Sequence, residues 1–366
     1  MNIGIDITSI STGRGPGRYV SEVLTAIAGM ETNGDKFYLY SPYPVSENYP
    51  SNFIPRHIPQ QRYRPWLNWS LPRAALKDKI DVMFFPANDF WLWPFTKTVV
   101  TIHDVAPATV LSGYHRSWAD RMQNKLQMER LCSIAKTVIT VSNYSLGQIR
   151  KETNIAADKL CVIYNGVTNK YCPPALGNER GEFILYVGGF DRRKNLERLL
   201  DAYNLLLNSG STEKLIMAGH SSPGGYDKLY YDIPELLRSK NLAGKVEIIE
   251  NPTDDKIVQL YQTAKIFVFP SLIEGFGLPV LEAMACGCPV ACSNAASLPE
   301  VGGEAALYFD PYDVPSMAGV LQKILSDNDL RGEMSKKGLY RAKLFCWPEA
   351  GRKIYDVLRN TYSGNK

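Results

Sequence analysis

Short apolar runs alternate with longer amphipathic stretches along this chain, and the alternation occurs twice. In the first half the runs are Ile3 to Ile7, Phe37 to Tyr40, Val82 to Phe85, Thr98 to Ile102, Val138 to Val141 and Leu160 to Ile163. Helical spacing separates some of them, from Tyr19 to Ile27 and from Trp118 to Ile134. Strands that are apolar throughout belong to parallel sheets covered on both faces. A polar stretch with Pro173 and Pro174 runs from Asn165 to Gly181, and then the pattern starts again. Its runs are Phe183 to Val187, Leu215 to Ala218, Val246 to Ile249, Ile266 to Phe269, Pro289 to Cys292 and Ala306 to Phe309, with helices expected at Leu196 to Leu207 and Asp255 to Tyr261. The expectation is an α/β chain of two Rossmann-like, doubly wound domains, which suits 366 residues. Such sheets bind ligands beyond the carboxyl ends of their strands, and two edges facing each other make one cleft. A last helix is expected from Trp347 to Tyr362, with Pro348 in its first turn.

Composition excludes several classes. With 45% hydrophobic and 21% charged residues the chain reads as globular. The start, Met1 to Thr8, has no basic flank and carries Asp6, so it reads as a strand rather than a signal peptide. No stretch approaches the roughly 20 apolar residues that span a bilayer, so the expected location is cytoplasmic, at most on a membrane surface. Seven cysteines fit a reducing compartment; Cys286, Cys288 and Cys292 match no zinc spacing and read as small apolar residues. A net charge of +4 is too small to suggest nucleic acid. Residues 1–170 hold 19 basic and 13 acidic side chains, a net +6, against −2 for the rest. That bias favours a phosphorylated acceptor or an acidic lipid surface; a merely soluble face is the competing reading.

Four segments carry chemistry. Gly13-Arg14-Gly15-Pro16-Gly17-Arg18-Tyr19 follows the first strand, where glycines let backbone amides approach an oxyanion at a helix's positive end; a plain tight turn competes. It is not G-x-G-x-x-G, and no acidic residue closes the second strand, which argues against a nicotinamide dinucleotide. His103-Asp104 follows a strand's carboxyl end, the edge where α/β sites are built, whereas His57, His115 and His220 stay background. Gly188-Gly189-Phe190-Asp191-Arg192-Arg193-Lys194-Asn195 puts adjacent cations before a helix start, where the dipole disfavours them unless an anion such as a diphosphate joins them; a solvated basic turn competes. The fourth, Pro270 to Ala283, brackets a glycine-rich turn between Glu274 and Glu282, with a helix starting near Leu278. Its amides suit a phosphate or sugar hydroxyl, and carboxylates accept paired hydroxyls.

This last segment resembles the E-x7-E motif of glycosyltransferase family 4 and related retaining GT-B enzymes. The likeness runs along nearly the whole chain: Gly15 to Tyr19 is similar to the family's glycine loop, Ile102-His103-Asp104 to its acceptor-side histidine, Val162 to Val167 to the segment entering the linker, Arg193-Lys194-Asn195 to its R-K-N, and Gly287-Cys288-Pro289-Val290 to its G-x-P-V. The resemblance implies a GT-B fold with an acceptor domain at 1–172, a donor domain at 173–345, and a C-terminal helix, 346–366, crossing back to the first domain. It implies that Glu274 holds hydroxyls of the transferred sugar and that Phe276, Gly277 and Leu278 lie at the sugar and diphosphate. Glu282 would bind the ribose, Arg193 and Lys194 would neutralise the leaving diphosphate, and His103 would sit beside sugar and acceptor. Gly15, Gly17 and Gly189 are expected to face the donor. No metal or other cofactor is expected; the partners are a nucleotide sugar and a glycan or lipid-linked acceptor. The closest likeness is to bacterial mannosyltransferases of surface polysaccharide synthesis, which makes GDP-mannose the first choice of donor.

Two positions depart from the family. Gly189 stands where many members carry Arg, and Ile248-Ile249-Glu250-Asn251 stands where many read F-L-G near the base pocket. Trp66 and Trp69 beside Arg62 and Arg64, together with Asp89 to Phe95, suit either interfacial docking or buried packing. A nucleotide-sugar hydrolase or epimerase of the same shape and a non-catalytic nucleotide-sugar sensor are the other classes to weigh.

Overall fold

The computed structural model describes residues 1–12, 15–45, 49–104, 118–175, 180–221 and 229–364. The chain divides into two units, Met1–Gly166 with Cys346–Lys366, and Val167–Phe345.

The first unit holds a parallel sheet of seven strands, β1 Asn2–Asp6, β2 Lys36–Ser41, β3 Phe53–His57, β4 Val82–Phe85, β5 Lys97–Ile102, β6 Thr137–Thr140 and β7 Leu160–Val162, in the order β3-β2-β1-β4-β5-β6-β7. Every residue of β4 is buried, as are all but the first of β1, β2, β5 and β6. This is the burial that continuous apolar strands require. Six of the seven strands lie on the apolar runs; β3 does not, because its sequence, Phe-Ile-Pro-Arg-His, alternates in burial and contains Pro55. Proline lacks the ladder donor, and β3 occupies the sheet edge, where that loss is tolerated.

The second unit holds six parallel strands, β8 Phe183–Gly189, β9 Lys214–His220, β10 Val246–Glu250, β11 Ile266–Phe269, β12 Val290–Ser293 and β13 Ala306–Phe309, in the order β10-β9-β8-β11-β12-β13. All six coincide with apolar runs of the sequence. From β8 the chain steps one way to β9, and from β11 the other way to β12, so the crevice between β8 and β11 is the topological switch point.

The helix Trp347–Ser363 belongs to the first unit. It buries Trp347, Ala350, Gly351, Ile354, Tyr355 and Leu358 at helical spacing, and its Tyr355 hydroxyl donates to Asp35 Oδ2 at 2.6 Å. Residues 167–172 pack with the second unit. The Val167 N–H donates to Phe345 O, Lys170 pairs with Asp254, and Gln262 Nε2 donates to Cys172 O.

Gly166 shows how tightly the last helix is seated. A Cβ on Gly166 would lie 2.6 Å from the Cys346 carbonyl carbon and 2.8 Å from Trp347 Cα, both backbone atoms with no room to yield. Gly166→Ala is therefore expected to cost about 3 kcal/mol and to loosen the helix, as overpacking against rigid neighbours does. Urea unfolding with amide exchange over residues 347–363 measures both, and an unchanged midpoint would show that the backbone gives way.

Candidate active site

The switch point of the second sheet collects most of the residues singled out in that half of the sequence. After β8 the chain makes a short turn, Arg192–Lys194, and Asn195 adopts the left-handed conformation, φ 58°, before the helix Leu196–Asn208. The Asn195 amide donates to Pro270 O at 3.2 Å and to Pro311 O at 2.7 Å. The Leu272 N–H donates to Arg193 O at 2.8 Å. The basic turn and the acidic segment are thus bound to each other through backbone.

Within that frame Lys194 Nζ donates to Glu274 Oε1 at 2.6 Å, and Ser271 Oγ donates to the same oxygen at 2.6 Å. The two side chains of the ion pair are 10% and 13% exposed. No described residue bonds Oε2, so one carboxylate oxygen is fixed and the other is available to a ligand hydroxyl. Lys194 Nζ also lies 5.0 Å from the Phe269 ring centre. Arg193 Nε donates to Asp191 Oδ1 at 2.9 Å, which orients the guanidinium beside the pair.

The glycine-rich turn follows Glu274. Gly277 has φ 109°, and a Cβ there would sit 2.6 Å from Leu298 Cδ2, so only glycine fits on both counts. It precedes the helix Leu278–Ala285, which has no side-chain cap and carries Pro at the second position. First-turn N–H groups lack intrahelical partners, and the half-exposed Leu278 offers the first of them. Phe276 is buried edge-on to Phe345, and its carbonyl accepts from Ser297 Oγ at 2.7 Å. Glu282 is buried one turn into the helix, 3.5 Å from the Tyr261 hydroxyl. The Gly189 carbonyl accepts from the fully buried Tyr186 hydroxyl at 2.7 Å, which pins the end of β8.

In the first unit, His103 follows β5. Its Nε2 lies 2.8 Å from Pro86 O; a carbonyl only accepts, so Nε2 carries the proton and Nδ1 is an acceptor in the neutral ring. Burial holds its pKa below the usual histidine value, which keeps the ring neutral near pH 7. The ring packs edge-on to Tyr19 at 4.6 Å, and Tyr19 belongs to the helix Gly15–Ala28 that the glycine segment opens. On that helix Gly15 is exposed with open space around it, and Gly17 is buried. Gly13, Arg14 and His115 lie outside the described residues.

Next to His103 the structure assembles a cluster that sequence reading did not find. Asp6 ends β1 and is buried; its Oδ1 accepts from Thr8 N and Oγ1, and its Oδ2 accepts from the Tyr63 hydroxyl at 3.1 Å. Asp89, in the loop after β4, also bonds the Tyr63 hydroxyl. The Tyr63 hydroxyl thus lies between two carboxyls. Burial, then the neighbouring Asp6, pushes the Asp89 carboxyl up to about 7. The three residues come from segments far apart in sequence, and only Asp6, as a charge inside a first strand, gave any signal. Asn88 adjoins the cluster and accepts the His103 N–H at 2.9 Å.

The comparisons with known proteins give the family and the fold. Residues 14–170 match the model described as Glycosyltransferase Family 4, and residues 173–340 the model described as Glycosyl transferases group 1. O-antigen chain mannosyltransferase B of Escherichia coli is 34% identical over 284 residues, covering 75% of this chain and 73% of that protein. The chain belongs to glycosyltransferase family 4. The serotype-specific mannosyltransferase WbdA of Escherichia coli is 32% identical over 69% of this chain, which spans only 32% of that longer protein. Among solved structures, sucrose-phosphate synthase from Thermosynechococcus elongatus aligns over 100% of both chains with a TM-score of 0.78 at 21% identity. Anabaena Alr3699/HepE, solved with UDP-glucose, aligns over 98% of this chain and 100% of its own with a TM-score of 0.73 at 15% identity. The fold is GT-B, and this family 4 protein is a hexosyltransferase.

The Asp89 proton has a measurable consequence. A carboxyl whose folded pKa exceeds its unfolded value binds more protons in the native state. Stability then falls as pH rises from about 4 toward 7 and stays low above it. Asp89→Asn keeps the hydrogen-bond donor and removes that dependence. Its melting temperature relative to the unmodified protein is expected to rise between pH 5 and pH 8, scales on the order of the two pKa values. A constant difference across that range would place the proton elsewhere.

Proposed function

We propose that the protein is a retaining mannosyltransferase that moves mannose from GDP-mannose to a glycan or lipid-linked saccharide during surface polysaccharide synthesis. The observation that carries this reading is the buried Lys194–Glu274 pair, with Ser271 on the same oxygen, at the switch point of the second sheet. Glu274 Oε2 takes hydroxyls of the transferred sugar. The amides around Phe276, Gly277 and Leu278 take the sugar and diphosphate, and Glu282 takes the ribose. Arg193 and Lys194 stabilise charge on the leaving diphosphate, and Gly15, Gly17 and Gly189 allow backbone approach.

His103, neutral and with Nδ1 as acceptor, orients a hydroxyl of the sugar or acceptor. Attack comes from the face the diphosphate leaves, so no protein nucleophile takes part. The residues named supply the positive charge the leaving group requires, and the reading includes neither a metal nor another cofactor. Mannose as the sugar is supported by the O-antigen mannosyltransferase at 34% identity, and a nucleotide diphosphate donor by the structural neighbour that holds UDP-glucose. Work on a lipid-linked acceptor places the protein in the cytoplasm, at the inner face of the membrane.

Two measurements test this. Thermal shift against nucleoside diphosphates and nucleotide sugars is expected to show GDP and GDP-mannose stabilising most, by about 2.7 kcal/mol at a hundred times the dissociation constant. Larger shifts with UDP-sugars would change the donor, and no shift with any nucleotide would remove the reading. Glu274→Gln keeps an oxygen for Lys194 and Ser271 but loses the charge. It is expected to lower kcat by about 100-fold or more with the fold intact, the size of effect seen when a positioned polar group is removed from a transition state.

A further inference from the structure

The loop between β4 and β5 crosses from the carboxyl end of one strand to the amino end of the next without a helix. Its Trp91 is fully buried, edge-on to Phe85, with Nε1 donating to Thr98 Oγ1 at 3.2 Å. The four residues that follow, Leu92-Trp93-Pro94-Phe95, are all exposed, Trp93 by 72%. This tip is held in place. Asn68 Oδ1 accepts the Leu92 N–H at 2.8 Å, and Arg130 donates to Leu92 O at 3.1 Å while lying 5.8 Å from the Trp93 ring centre.

Both anchors extend the apolar face. Beside Asn68 stands Trp69, 64% exposed, in contrast to Trp66, which is fully buried. On the helix Trp118–Ile134, Met122 and Leu126 are exposed four residues apart and border a groove with Leu92 and Arg130. Large indoles and aliphatic side chains held in water by fixed backbone form a patch that soluble surfaces ordinarily avoid.

The charged side chains bordering this patch are mostly basic. Arg130 borders the groove on one side; on the other, Pro94 and Phe95 share a cavity wall with Lys97, Lys136 and Lys159. Asp81 is the acid in that wall, and its carboxylate already accepts the Asn2 N–H at 2.7 Å. Indoles and aliphatic tips ringed by lysine and arginine match the interface of a bilayer with anionic headgroups.

We propose that Trp69, Leu92, Trp93, Phe95, Met122 and Leu126 dock the first unit onto an anionic lipid bilayer, with Arg130, Lys97, Lys136 and Lys159 meeting the headgroups. The same loop carries Asn88, which accepts the His103 N–H, so docking sets the acceptor-side residues at a fixed place relative to the lipid surface. The inference extends the reading of a lipid-linked acceptor but is tested by binding alone, so the two can fail separately.

The test is sedimentation of the full chain with vesicles of phosphatidylcholine alone and with about a third phosphatidylglycerol, an anionic surface of the kind basic rims recognise. Binding is expected to the anionic vesicles, and to weaken as salt rises toward about 0.5 M. Leu92→Ala with Trp93→Ala is expected to lower it at least about tenfold by removing apolar insertion, with melting temperature and turnover of a water-soluble acceptor unchanged. Lys136→Glu with Lys159→Glu is expected to lower binding to anionic vesicles only. Wild-type protein that ignores both vesicles, or a double alanine variant that binds as well as wild type, overturns the proposal. So does a dimer that the alanine variant dissociates, which would give this face to a second copy of the chain.

Discussion

An ion pair taken out of water is the constraint around which the second unit is arranged. Desolvating two charges costs several kcal/mol each, and attraction offsets that only where geometry and further hydrogen bonds are good. Lys194 and Glu274 meet both conditions at 2.6 Å because Ser271 shares the carboxylate oxygen and Asn195 ties the two segments together. Each of those features needs a local distortion: a left-handed Asn195 after the basic turn and a left-handed Gly277 before the next helix. The parallel sheet makes the distortions possible, because strands buried on both faces hold β8 and β11 side by side whatever their loops do.

The first unit solves a different problem at its own switch point. Here β1 and β4 end in Asp6 and the loop carrying Asp89, and the two carboxyls share a phenol instead of a cation. Burial and the neighbouring Asp6 raise the Asp89 carboxyl to about 7, so it carries its proton below that pH. The neutral histidine beside it fits the same low-polarity setting.

Much of this was legible in the sequence, for reasons particular elements make clear. Among the described residues, twelve of the thirteen strands coincide with apolar runs, because most of them are buried along their length. The exception is β3, where an edge position and Pro55 remove the signal. The donor-side residues lie in two short segments, 188–195 and 270–283, so chain order alone brought Arg193, Lys194 and Glu274 to attention. Asp6, Tyr63 and Asp89 converge only after folding, and no spacing announces them. Likewise the tryptophans could not be sorted by type: Trp66 and Trp91 are core, Trp69 and Trp93 are surface, and the difference is set by which side of a turn each faces.

The basic turn also carries less net charge than its sequence suggests. Arg193 is paired with Asp191 and Lys194 with Glu274, while Arg192 lies 5.2 Å from the Tyr231 ring centre. Two of the three cations are therefore neutralised by carboxylates of the same unit. Under the proposed reading, cations already fixed in direction would need little reorganisation as negative charge develops on a leaving group. Gly189, standing where relatives often carry another arginine, fits that economy. Its carbonyl is held by Tyr186, and a Cβ there would lie 3.2 Å from Asp191 Oδ2, on the residue that pairs with Arg193. Under the proposed reading, orientation by Asp191 and Ser271 stands in for that further positive charge.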